Sequence, residues 1–386
     1  MTVHQVAAVL NSVVEQATGQ KDIVATDLTN LVSLGNTILS SDTSRDKFLD
    51  ALVDRIGKTI ISNRSYGGKK NPIKMDAFTY GAVMQKIYVT PPTAENAPQW
   101  DLRTGEAPNQ FIIKTPEAKQ KLFSDRNTYE INITVPDYQL QTAFTSAEQM
   151  SAFIDAIFVA VSNAQAMRED ATTDMTYANC IGENIAYSKK PEAKGIHVVN
   201  LLTDYNTLTG GTLTAAKAMR DFEFLQYATR ELQLYVKRFE RMSTLFNAEQ
   251  YQRFTPRESA RLTVLQDFAS SCEVYLRSTT YHDNLVTLPN YNEVAFWQGS
   301  GDYKFTDTSS INITTSSGTQ IVQSGIVALL TDIEALGMMV DYKRTRSVRN
   351  ERGEYTNYFY KTDERTFVDM SENALVFIVA DAAAGV

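Results

Sequence analysis

TSAEQMSAFIDAIFVAVSNAQAMREDATTDMTYANCIGENI, residues Thr145 to Ile185, is the stretch from which the rest of the chain is best read. Met150, Phe153, Ile154, Ile157, Phe158 and Val161 recur at the i, i+3, i+4, i+7 spacing of one helical face, and Ala164, Ala171 and Met175 continue it less densely. Thr145 followed by Glu148 has the form of a capping box, in which a hydroxyl and a carboxylate each satisfy an orphan backbone N–H. No Pro or Gly interrupts before Gly182, so the spacing predicts a helix ending there, about 50 Å long at 1.5 Å per residue. The polar run Arg168 to Asp174 is a candidate kink. Asp155 interrupts an apolar run already too short to span a membrane. A helix of this length suits a beam across an elongated subunit; the same periodicity also suits the core helix of an ordinary enzyme.

Around this helix the chain has 386 residues, 43% hydrophobic, enough for a large core or two sub-domains. A net charge of −8 argues against a protein whose main work is nucleic-acid binding, which needs a basic footprint. The two cysteines, Cys180 and Cys272, have no paired spacing, so neither a disulfide framework nor a thiolate metal site is expected, and a reducing cytosol is the natural compartment. Met1 to Gln5 has no basic character, so no signal peptide is expected.

In chain order, Val3 to Ala17 reads as a short amphipathic helix, a Thr/Ser/Asn-rich stretch to Ser44 as an extended arm, and Thr43 to Ile61 as a second helix. Alternation predicts strands at Val83–Val89 and Tyr129–Val135, flanking a loop that holds Pro91, Pro92, Pro98, Pro108 and Pro116, half of the chain's ten prolines. We expect these two strands to form a ribbon with the loop at its end. A loop so long is usually functional or bound to something else. Beyond the long helix we expect a strand at Ile196–Leu202, a boundary at Gly210-Gly211, a helix over Thr212–Arg238 and another around Pro256–Phe268. A helix is expected over Gly325–Leu336, then strands at Met338–Lys343, Tyr355–Lys361, Thr366–Val368 and Ala374–Val379. The turn Arg349 to Gly353 has hairpin chemistry, with Gly353 expected at positive φ.

A search for reactive constellations assigns no catalytic, cofactor-binding or metal-ligating residue. His4, His197 and His282 are far apart and lack ligand-spaced carboxylates. Gly67-Gly68-Lys69-Lys70 lacks the leading Gly and the following Ser/Thr of a phosphate loop. Gly299-Ser300-Gly301 lacks the spacing of a nucleophile elbow. The basic cluster Lys343, Arg344, Arg346, Arg349 and Arg352 reads either as a phosphate patch or, in a chain this acidic, as charges paired with Glu351, Glu354, Asp363 or a neighbouring subunit.

The same hairpin carries a resemblance. Val348-Arg349-Asn350, Arg352-Gly353, Tyr355, Asn357-Tyr358 and Tyr360 resemble the C-terminal strands of major capsid proteins of small short-tailed (Picovirinae-type) bacteriophages. Leu52 to Gly57 is similar to the helix before their extended loop, and Leu140, Thr142, Ala143 and Phe144 to the entry of their long helix. These blocks span roughly 50 to 380, and about 225 to 320 shows no likeness.

The resemblance implies an α+β Hong-Kong-97-type capsid fold. Its parts would be an N-terminal arm and helix (1–64), an extended E-loop (65–136), the spine helix and first part of the P-domain (137–207), an inserted A-domain (208–324) and the second part of the P-domain (325–386). It implies a non-enzymatic, cofactor-free major head protein of the virion that assembles with itself into pentamers and hexamers of an icosahedral or prolate shell. The other expected partners are a separate scaffolding protein, a portal or connector, and packaged double-stranded DNA bound without sequence specificity; no membrane is expected. Assembly would take place in the host cytoplasm. No appended immunoglobulin-like domain and no fused scaffolding segment are expected. The runner-up is an encapsulin-like bacterial compartment shell, and a third reading is an α+β enzyme with an unrecognised site.

Overall fold

The computed structural model describes residues 71–75, 83–94, 103–105, 109, 111–136, 147–277, 291–298 and 305–381. The expectations for Val3–Ala17, Thr43–Ile61, Gly67–Lys70, Leu140–Thr145, Gly299–Gly301, His4 and His282 lie outside them, as do the side chains of Phe153, Ile154, Ile157 and Phe158. The chain divides into two units, Met1–Gly67 with Ile131–Ala166 and Thr345–Phe359, and Gly68–Glu130 with Met167–Arg344 and Tyr360–Val386.

The core of the second unit is a five-stranded mixed sheet. Its strands are β5 (Val198–Asn200), β6 (Ala260–Leu265), β7 (Tyr291–Val294), β10 (Ile326–Asp332) and β13 (Ala374–Ile378), in the order β5-β13-β10-β6-β7. β10 is antiparallel to both neighbours, with Leu329 opposite Val376 on one side and Thr263 on the other. Every residue of β10 is buried, as a central strand covered on both faces requires. This corrects the helix expected over Gly325–Leu336. A short continuous apolar run fits a buried helix or a buried strand equally, and the β-branched pair Ile326-Val327 beside a glycine is the strand signal. Gly325 has φ +77°, and a Cβ there would stand 2.3 Å from the carbonyl oxygen of Val379. Only glycine fits so close a left-handed approach.

Helices cover this sheet. α1 is Ala147–Ser188, α2 Leu201–Thr209, α3 Ala215–Ala218, α4 Phe222–Phe239, α5 Gln266–Arg277 and α6 Phe305–Thr308. α4 turns Phe224, Leu225, Ala228, Leu232, Val236 and Phe239 inward, the stripe that makes an amphipathic helix bind a core. Asp221 caps it, accepting from the Phe224 N–H at 2.8 Å, and Lys237 and Arg238 sit in its last turn where the helix dipole favours cations. Its start at Phe222 breaks the single helix expected from Thr212. The strand expected at Ile196–Leu202 stops at Asn200, whose side chain accepts from the Leu202 N–H at 3.2 Å and so starts α2. The helix expected around Pro256–Phe268 is strand β6, and α5 follows it.

The long helix α1 is helical throughout its 42 residues, Arg168–Asp174 included. The polar run is helical because its side chains are satisfied: Thr172 donates to Glu364 at 3.2 Å, Asn71 donates to Thr173 at 2.7 Å, and Thr173 and Thr176 bond back to the carbonyls four residues earlier. Gly182 does not end the helix. A Cβ on it would lie 2.2 Å from Cδ1 of Ile313 in strand β8 (Ile311–Thr314), so this glycine lets a neighbouring hairpin approach, and the helix runs on to Ser188. β8 pairs with β9 (Gln320–Gln323).

A four-stranded sheet has the order β1 (Lys74–Met75), β11 (Leu336–Asn350), β12 (Tyr355–Val368), β4 (Asn127–Pro136). The expected ribbon is corrected here. Strand β2 (Met84–Val89) pairs with β3 (Ala118–Phe123), while β4, which contains Tyr129–Val135, lies beside β12. In the turn between β11 and β12 the positive φ belongs to Glu354, at 47°, and not to Gly353; a Cβ on Gly353 would meet the Tyr355 ring at 2.5 Å. Asn350 holds this turn, accepting from the N–H groups of Arg352 at 3.1 Å and Gly353 at 2.9 Å.

Candidate assembly surface

The β2–β3 hairpin has two chemically opposite faces. Antiparallel pairing sets Met84, Lys86 and Tyr88 across from Phe123, Lys121 and Lys119, and sets Gln85, Ile87 and Val89 across from Leu122, Gln120 and Ala118. The first set is held by the body of its own unit. Lys86 Nζ donates to Glu372 at 2.9 Å and to the Glu334 carbonyl at 3.0 Å, and lies 3.0 Å from Asp369. Lys121 donates to the other Asp369 oxygen at 2.9 Å, and Arg253 reaches Glu372 at 2.9 Å. Tyr88 stacks on Tyr251 with centroids 4.3 Å apart, and Phe123 meets Phe367 at 5.3 Å. Lys119 sits 4.7 Å above the Tyr251 ring, a cation–π contact.

Asp369 is fully buried, and the Ser371 N–H and hydroxyl donate to it at 3.0 and 2.7 Å. Burial opposes its charge, but Lys86 and Lys121 outweigh that and hold the carboxyl below its usual range. Lys86 also loses solvation, and Asp369 and Glu372 together raise its pKa nonetheless. For Glu372 burial prevails over Lys86 and Arg253, and its carboxyl is pushed up.

The second set points away. Ile87, Val89 and Leu122 are all exposed, and the loop beyond carries Phe111, Ile112 and Ile113 at 81%, 61% and 86% exposure. A run of large apolar side chains this open marks a surface meant to be covered.

On β12, Asp363 and Glu364 anchor a second polar cluster. Arg344 donates to both Asp363 oxygens at 3.0 Å, Thr128 donates to it at 2.7 Å and Arg126 also bonds it. Burial works against the Asp363 charge, and Thr128, Arg126 and Arg344 together hold its carboxyl below the usual range. Arg168 and Asn127 donate to Glu364 at 3.1 and 3.0 Å. The basic cluster read from sequence is therefore in part paired: Arg344 with Asp363, and Arg349 with Glu351 at 3.2 Å. His197 is buried between Asn184, at 3.3 Å, and the Lys194 carbonyl, at 3.1 Å, and packs edge-on to Tyr187. It is a structural histidine. Among the described residues no group of His, Cys, Asp and Glu could hold a metal, and no helix is long and apolar enough to cross a membrane. Sequence reasoning did not find Lys86, Asp369, Glu372 or Arg253; the available signal was Lys86 alternating with apolar neighbours along β2.

An α+β subunit with a long helix, a mixed central sheet and a hairpin with its apolar face outward has the form of a capsid shell protein. The solved capsid structure of Staphylococcus phage Andhra superposes with a TM-score of 0.53 at 9% identity, covering 84% of this chain and 88% of that one, which makes the fold the Hong-Kong-97-type capsid fold. The chain belongs to the family of Phi29-like phage major capsid proteins, whose model matches residues 8–378. It is 26% identical over 356 residues to the major capsid protein of Bacillus phage PZA, covering 92% of this chain and 68% of the relative. It is also 23% identical over 339 residues to that of Streptococcus phage Cp-1, covering 87% and 84%. Membership makes this a phage major capsid protein that associates with its own copies in the virion shell, implies a non-enzymatic role, and decides between phage head and bacterial compartment in favour of the head.

Proposed function

We propose that the chain builds an icosahedral or prolate head, as pentamers and hexamers around double-stranded DNA, with residues 65–136 acting as an E-loop that lies across a neighbouring copy. One observation carries this reading: the β2–β3 hairpin spends its charged face on its own subunit and leaves its apolar face, with Phe111 to Ile113, open. An isolated two-stranded ribbon is marginal in water, so the inner face supplies its support and the outer face is free for a partner. Burying Ile87, Val89, Leu122 and Phe111–Ile113 at about 1.5–3 kcal/mol per side chain amounts to roughly 10 kcal/mol or more before association costs. Each subunit would be held by several such contacts at once, so none needs to be strong alone. The acidic chain suits a lining that does not grip densely packed DNA.

Assembly in the host cytoplasm with a separate scaffolding protein and a portal completes the proposal. The spine helix and P-domain would take in 137–207 and 325–386, and the A-domain 208–324, although the five-stranded sheet joins β6 and β7 to β10 and β13 across residue 324. The test is expression with and without the neighbouring head genes, followed by light scattering and negative-stain microscopy. Megadalton closed shells are expected, with Phe111→Ala lowering shell yield while leaving the subunit's circular dichroism unchanged. A monomer or small oligomer under every condition would overturn the reading.

A further inference from the structure

A second open apolar surface lies away from the hairpin, at the C-terminal end of α4. Lys237, Arg238 and Arg241 rim a hollow of about 560 Å³ floored by Met242, Leu245 and Phe246. Met242 and Leu245 are about half exposed, at 49% and 48%, over the buried Phe246. Phe254, 50% exposed, extends the floor: the antiparallel bridge between Ser243 and Arg253 brings Met242 and Phe254 side by side on one face. Arg238 lies 4.7 Å from the Tyr235 ring, and no described carboxylate forms an ion pair with any of the three rim cations. The bond from the Ile196 N–H to the Leu245 carbonyl, 2.7 Å, and that from the Gln250 side chain to the Lys194 carbonyl, 3.1 Å, fix the segment in place. The hollow is a built feature of the fold.

We infer that this basic-rimmed hollow is a contact with a second copy of the chain, separate from the one made by the hairpin. Charge complementarity names the occupant. Three cations with no carboxylate partner among the described residues ring the hollow on a chain of net charge −8, so the surface of another copy is on average of the opposite sign. The apolar floor argues against DNA, whose phosphates gain nothing from Met242, Leu245 and Phe254. Contacts around a ring of subunits are heterologous, so each subunit needs more than one kind of surface, and the hairpin supplies only one.

Hydroxyl-radical footprinting tests this, with Met242 and Phe254 as probes in the free subunit and in emptied shells freed of DNA and of other proteins. Oxidation of both is expected to drop to near background in the emptied shells. Lys237→Glu with Arg241→Glu, both at exposed positions, should cut shell yield several-fold while leaving the subunit's denaturation curve unchanged. Equal oxidation in both states would overturn the inference. Protection seen only in DNA-filled heads would assign the hollow to DNA, and protection seen only while another protein is present would assign it to that protein; either result also overturns it. The hairpin reading is scored separately on Phe111 and Ile113, so the two can fail independently.

Discussion

Replacing Asp369 by Ala removes the centre of the clamp that holds the β2–β3 hairpin to its subunit. The carboxylate is fully buried and meets Lys86 at 3.0 Å, Lys121 at 2.9 Å and two donors of Ser371 at 2.7 and 3.0 Å. Hydrogen bonds to charged groups contribute about 1.5–3 kcal/mol each, and breaking a buried pair from one side costs about 3–5 kcal/mol. Lys86 keeps Glu372, and Lys121 is 40% exposed and regains water, so the low end applies: a loss of about 3 kcal/mol. Urea denaturation of the subunit gives the total. Hydrogen exchange locates it, with faster exchange expected across 84–89 and 118–123 and little change in β10. As a control, Glu334→Ala removes a carboxylate that is 59% exposed and 3.5 Å from Lys86, a pair worth under about 1 kcal/mol. If Asp369→Ala changes stability by less than about 0.5 kcal/mol, the hairpin is not held by this cluster.

Three further outcomes are expected. The Asp369 carboxyl is held below its unfolded value, so its contribution is complete above about pH 4 and is lost as pH falls through its folded value. Glu372, pushed up by burial, has the opposite sign, since its folded form takes a proton more readily and so offsets part of the acid-end loss, while Lys86, raised, contributes below about pH 10.4 and loses that as pH climbs through its folded value. Intrinsic-corrected protection of the hairpin should therefore form a plateau that falls at both the acid and the alkaline end; a profile flat to pH 2 would contradict this. Gly325→Ala should cost more than about 2 kcal/mol, combining left-handed strain with a clash against the Val379 carbonyl, and a melting temperature unchanged in the variant would refute that. Burial pushes the thiols of Cys180 and Cys272 up to about 12, so both should resist iodoacetamide in the native subunit at pH 8 and particles should show no disulfide-linked ladder on non-reducing denaturing gels; rapid alkylation or such a ladder would contradict this.

The long helix was legible because its signal is local: the spacing from Met150 to Val161 repeats often enough to exclude a strand. Its end was misplaced because Gly182 answers to Ile313, a residue 131 positions later that no local pattern exposes. β10 was read as a helix for a related reason. A strand buried on both faces shows no alternation, and only its partners β13 and β6 make it a strand. The hairpin strand Met84–Val89 was visible by alternation, but its partner Ala118–Phe123 holds Lys119 and Lys121 where an apolar face was sought, so the cleaner pattern at Tyr129–Val135 was paired with it instead. The candidate surface shows the same division. Phe111, Ile112 and Ile113 form a consecutive apolar run in a loop that the sequence displays directly, whereas nothing local marks Asp369 and Glu372, which only the fold brings to Lys86.

Hydrogen exchange compared between free subunits and closed shells tests the central claim most directly. Amides of residues 111–117, which lie outside the β2–β3 ladder, should exchange quickly in the free subunit, whose loop tip lies open, and slowly once shells have formed. Equal exchange in the two states would mean that this apolar face is not covered by a neighbouring copy, and the account of how the subunits hold one another would be wrong.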